Sequence, residues 1–157
     1  MELVKQVFDI GYFVRALQVQ LRFGELSRAP LRLLRLELSG DVVECDWMAR
    51  AADEFDDHIP RLARGKNVSM QALRDAIAVR NLLFCSLPGV NTASLRVFRE
   101  PDGGELKLII SGTVTREWQA NQHISSLAMR AKLLGLQFWL QDGVLEALRT
   151  EEYTMSF

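Results

Sequence analysis

Ser69-Met-Gln-Ala-Leu-Arg-Asp-Ala-Ile-Ala-Val-Arg-Asn-Leu-Leu-Phe-Cys-Ser-Leu87 decides the fold, together with the alternating runs that follow it. Ala72, Ala76, Val79 and Leu83 recur at spacings of four, three and four, and Leu73, Ile77 and Phe84 widen that stripe. This period predicts a helix with one buried face over 69–87. Asn67 or Ser69 is placed to cap its start, and Pro88-Gly89 stops it. Ser94–Glu100 then alternates, with Leu95 and Val97 on one face and Arg96 and Phe98 on the other. Pro101-Asp-Gly-Gly104 supplies a preset φ and two residues that accept positive φ, so it predicts the turn of a hairpin. Leu106, Leu108, Ile110 and Val114 form the inward row of the returning strand. Gly112 sits in that row without a side chain, which predicts a bulge or a close approach by a helix.

A second helix is predicted over 117–134. Ala120, Ile124, Leu127, Ala128, Ala131 and Leu134 form its apolar face, with Thr115 as N-cap and Gly135 as stop. Leu136, Phe138 and Leu140 alternate as a final strand, closed by Asp142-Gly143. The order helix-strand-strand-helix-strand over about 70–141 resembles the BON domain of bacterial proteins. Ser111-Gly112-Thr113-Val114 is similar to that family's serine-glycine-x-valine strand end, and Gly135-Leu136 to its glycine-aliphatic step before the last strand. The resemblance implies phospholipid or protein binding in envelope-facing proteins, without catalysis. This chain departs from that setting. Lys5, Asp9 and Arg15 interrupt every apolar run that could serve as an export signal.

Composition narrows the function classes. The 157 residues suit a single domain, and a 48% hydrophobic content supplies a core. Nineteen basic and twenty acidic side chains leave a net charge of −1, so there is no overall attraction for nucleic acid. No run approaches the ~20 apolar residues of a membrane span. Cys45 and Cys85 are far apart and read as reduced thiols, which predicts a cytoplasmic protein.

The N-terminal half, 1–66, reads as β-rich. Leu3, Val7, Ile10, Val14, Leu17 and Leu21 follow a helical spacing, yet Leu17-Gln-Val-Gln-Leu-Arg-Phe23 alternates strictly. The expectation is a short helix or extended lead-in near 2–13 and a strand near 15–23. Leu31–Arg50 predicts a hairpin turning at Ser39-Gly-Asp41, and Ala51–Asn67 a polar loop.

Two groups of residues are candidates for function. Trp47, Arg50, Asp53, Asp57 and His58 gather an indole, a guanidinium, carboxylates and an imidazole. Arg50 could grip an anion while Trp47 stacks on it, or the acids and His58 could hold a divalent ion. The spacing matches no calcium loop, and the simpler reading is a solvated acidic loop with Trp47 packed and Arg50 paired to Asp53. No metal or cofactor is assigned. A nucleophilic enzyme would need Cys45 or Cys85 beside His58 or His123; Cys45 could reach His58 after a chain reversal, which nothing in the sequence requires. The second group is Phe98, Ile109 and Trp139, expected to point away from the helices. Three large apolar groups on that face call for a cover, from the N-terminal half or from another subunit.

Together these readings predict one α+β domain. A twisted, mostly antiparallel sheet carries the helices 69–87 and 117–134 on one face. The expected function is a non-enzymatic binding or assembly module of the bacterial cytoplasm, engaging a protein partner or itself. A small-molecule or metal site at 47–58 and a BON-like lipid-associated module are the alternatives.

Overall fold

The computed structural model describes residues 2–52, 58–99, 105–117 and 126–148. Helix α1 (Glu2–Gln20) leads into the hairpin β1 (Arg32–Ser39) and β2 (Val42–Met48). Helix α2 (Arg61–Ser86) then crosses to β3 (Thr92–Arg99), which pairs with β4 (Lys107–Thr115). Helix α3 (Leu127–Leu133), β5 (Leu136–Gln137), β6 (Trp139–Gln141) and β7 (Val144–Glu146) complete the order. The expected α+β class is the one observed.

The five-stranded sheet runs β1-β2-β3-β4-β5. All its pairs are antiparallel except β2 with β3, which are parallel, in register from Val42↔Thr92 to Met48↔Phe98. That single parallel pair follows from the chain path. A long helix between two strands carries the chain back to the end it started from, as in any βαβ crossover. The two hairpins therefore share one sheet through β2 and β3. Strands β6 and β7 form a separate hairpin. Its turn holds Asp142 at φ 55° and Gly143 at φ 81°, the two positive values of a tight type I′ turn.

Helix α2 packs on the sheet and contacts both α1 and α3. Val43, Cys45 and Trp47 of β2 and Leu95 and Val97 of β3 meet Ala72, Ala76, Val79 and Leu83 of α2 in one continuous core. Phe13 and Leu17 of α1 enter the same core. At the free edge of the sheet, β1 carries Arg32 and Arg35 and a register shift between Leu33 and Arg35, features that discourage pairing with another chain.

Three expectations are corrected. Residues 15–20 belong to α1 and are helical. The helical spacing of Ile10, Val14, Leu17 and Leu21 prevails over the local alternation, because with Phe13 it places one stripe against the core. Helix α2 starts at Arg61, eight residues before Ser69, so much of the expected loop is helix. Gly65 lies within this first part of the helix. A side chain there would meet Val144 at 3.2 Å, so the glycine lets β7 approach α2. Ser69 lies inside the helix, and its Oγ accepts a hydrogen bond from the Leu145 backbone N–H at 2.8 Å. Finally, Thr115 pairs with Thr92 at the end of β4, and 116–117 are not helical. The N-cap of α3 is Ser126, whose side chain accepts from the Met129 N–H. Residues 118–125, in the expected second helix, lie outside the described residues, as does the 101–104 turn.

Candidate functional site

The structure separates the residues of the 47–58 group. Trp47 is fully buried on the α2 side of the sheet, and its Nε1 has no hydrogen-bond partner among the described residues. His58 is exposed, and Asp53 and Asp57 lie outside the described residues. Arg50 is buried and faces inward. Its Nε donates to Asp75 Oδ2 at 2.8 Å and Nη2 to Asp75 Oδ1 at 3.4 Å. Nη1 donates to the carbonyls of Ala29 at 2.9 Å and Arg22 at 3.2 Å, and Nη2 also to that of Leu21. These contacts engage all five guanidinium N–H groups inside the protein. Arg50 thus fastens the chain leaving α1 to the middle of α2 through Asp75, and the expected pairing with Asp53 lies outside the described residues.

Gln71 extends the network. Its amide donates to Asp75 Oδ1 at 2.9 Å, and its carbonyl oxygen accepts from Leu26 N–H at 2.7 Å. Burial pushes the Asp75 carboxyl up from its ordinary value, while Arg50 and Gln71 pull it back. Cys45 is also buried, and desolvation, helped by the Asp46 charge, pushes its thiol up to about 12. A thiol so held stays protonated and is a poor nucleophile.

Phe98, Ile109 and Trp139 do not form one row. A register shift between Val97 and Phe98 leaves Ile109 as the extra residue of a bulge opposite them. Ile109 and Ile110 are consequently both buried. Phe98 is half-buried, with the Arg96 guanidinium 5.5 Å from its ring centre. Trp139 is exposed on the separate β6-β7 hairpin. The sheet face that carries Phe98 is largely ionic. Arg35 bonds Glu37 at 2.6 Å and Glu44 at 2.5 Å, and Arg96 pairs with Asp46, its Nε 2.9 Å from Oδ1. Phe98 and Ile109 instead line a groove of about 1680 Å³ beside the first turns of α2, bordered by Arg61, Arg99, Lys107 and Glu146.

At the other end of α2, Arg116 donates to the carbonyls of Phe84 (2.7 Å), Leu87 (2.7 Å) and Val90 (2.9 Å). The helix has no basic residue in its own last turn, so this side chain from beyond β4 supplies the cation its C-terminus favours. Arg80 and Arg116 lie over the Phe84 ring at 4.9 and 5.1 Å. Burial, and after it the Arg116 charge, push the Arg80 guanidinium down from its ordinary value.

The residues that sequence reasoning missed are on α1. While Phe13 and Leu17 are buried, Phe8, Tyr12 and Val19 are 69%, 55% and 77% exposed. Positions 8, 12 and 19 fall on one side of the helix, with exposed Arg15 between them. A helix with apolar groups on both sides has one more apolar face than its own fold uses. The signal was available in the spacing of Phe8, Tyr12 and Val19, but the stripe of Leu3 to Leu21 absorbed it.

Among the described residues, no helix is long and apolar enough to cross a membrane, and no group of three or more His, Cys, Asp or Glu is placed to hold a metal ion. No family model, curated protein or solved structure matches the chain. A Cβ on Gly112 would sit 2.4 Å from the Gly135 carbonyl oxygen, so what closes on Gly112 is the backbone entering β5, in place of the expected bulge or helix.

Proposed function

We propose that this protein is a non-enzymatic binding module that engages another protein through the outward face of α1. The observation that carries the reading is the exposure of Phe8, Tyr12 and Val19 on a helix whose other side is anchored in the core. An anchored helix presents those groups already ordered, so binding costs little conformational entropy. Aromatic anchors are also the side chains that contribute most to protein interfaces. The engagement of every Arg50 donor within the fold favours this reading over a ligand site at 47–58. Both cysteines are free and Cys85 is exposed, which supports a reducing, cytoplasmic compartment.

A photo-cross-linking residue in place of Tyr12, expressed in the native host, tests the proposal. Protein adducts are expected from position 12 and not from a control at exposed Gln137. Equal yields from the two positions would overturn it.

A further inference from the structure

We infer that the occupant of the α1 face is a second copy of this chain, docked antiparallel through Phe8, Tyr12, Arg15 and Val19. This rests on the α1 reading and names its partner. The four residues are exposed and follow spacings of four, three and four, the seam of a two-helix coiled coil. That spacing reads the same in both directions along the helix. A two-fold axis through the point midway between Tyr12 and Arg15 therefore pairs every seam residue with another.

The register sets Phe8 on the partner's Val19, apolar on apolar. It sets Arg15 on the partner's Tyr12, a cation against an aromatic ring. Each contact occurs twice by symmetry, as in any isologous interface. Parallel pairing fails on the same residues, because it places Arg15 against the partner's Arg15. The flanking positions 11 and 16 exchange under the same axis, and they hold Gly11 and Ala16. Among the described residues, nothing beyond its own stretch of helix backbone lies within 4 Å of a Cβ built on Gly11, so a helix backbone has room to approach there. Small residues beside a seam permit such an approach. A contact of so few turns is small, and its strength belongs to the transient, micromolar class.

Cysteine pairing tests the register in a Cys85→Ser background, where the remaining thiol, Cys45, is buried. Phe8→Cys protein mixed with Val19→Cys protein is expected to form a disulfide-linked dimer on mild oxidation. Each variant oxidised alone is expected to give several-fold less. In sedimentation velocity, the wild type shifts from monomer to dimer with rising concentration, and Arg15→Glu weakens the association about tenfold by removing both cation–ring contacts. All three positions are exposed, and unchanged circular dichroism and melting would certify the folds. A chain that stays monomeric at high micromolar concentration overturns the inference, as does stronger linkage of each variant to itself. Protein adducts at position 12 from a different chain, found with a monomeric purified protein, would leave the binding reading standing and remove only the self-association.

Discussion

Arg50 and Asp75 form an ion pair that is closed to solvent on both sides, with Nε 2.8 Å from Oδ2. Because Arg50 also holds three carbonyls of 21–29, this pair is the joint between α1, the connection after it, and α2. Removing one member strands the other charge in the interior. Asp75→Asn is expected to destabilise the fold by about 3–5 kcal/mol, measured by urea unfolding. Replacing both with apolar residues of similar volume should recover only part of that loss, since the carbonyls would still lack their donor.

Cys45 gives the stability a defined alkaline limb. An ordinary thiol loses its proton near 9.0, whereas the buried Cys45 thiol holds it up to about 12. Within that window the folded state binds more protons than the unfolded chain, so stability falls as pH rises. The slope from this group is at most about 1.4 kcal/mol per pH unit. Denaturation midpoints of the wild type and Cys45→Ala should show the difference between pH 9 and 12. In native protein at neutral pH, alkylation should modify exposed Cys85 and spare Cys45 until the chain unfolds.

Gly112 and Gly135 are a second joint, where β4 meets the start of β5. Gly135 has φ +106°, and a Cβ there would lie 2.8 Å from the Thr113 carbonyl oxygen. The Gly112 counterpart would meet the Gly135 carbonyl at 2.4 Å, and neither neighbour is a side chain that can swing aside. Gly112→Ala and Gly135→Ala are each expected to cost about 1–3 kcal/mol, read from thermal melting. Faster amide exchange at Gln137, whose residue pairs with Ser111, should accompany the loss.

The two sides of α1 should respond oppositely to truncation. Phe13→Ala opens a cavity in the core and is expected to destabilise by about 3–5 kcal/mol. Tyr12→Ala, one position away, should change stability by no more than about 0.5 kcal/mol. Chemical denaturation of the two variants makes the comparison.

What was legible in the sequence was periodic and local. The alternation in 94–114 gave β3 and β4, the four-three-four stripe gave the body of α2, and Ser39-Gly-Asp41 gave the first hairpin turn, with Gly40 at φ +63°. The misses have physical causes. At Leu17–Phe23 a two-residue and a 3.6-residue period coincide, and burial of Phe13 and Leu17 decided for the helix. The early start of α2 was hidden because the polar run 61–67 has no apolar stripe of its own, and the fit of Gly65 against Val144 depends on a residue 79 positions away. The bulge at Ile109 inserts one residue and undoes the alternation on which the Phe98–Ile109–Trp139 face was based. The Arg50–Asp75 bond was not legible, since sequence proximity says nothing of a partner 25 positions away. Tyr12 was overlooked because a helix was expected to need only one apolar face.

The most direct measurement of the α1 account is hydroxyl-radical footprinting of Phe8 and Tyr12, in dilute purified protein and in cells of the native host. Trp139, 52% exposed on the β6-β7 hairpin, serves as the internal reference. Heavy labelling of Phe8 and Tyr12 in dilute protein, with several-fold protection in cells relative to Trp139, is the predicted result. Labelling of Phe8 and Tyr12 in cells equal to that in dilute protein would contradict the claim that this face binds a protein.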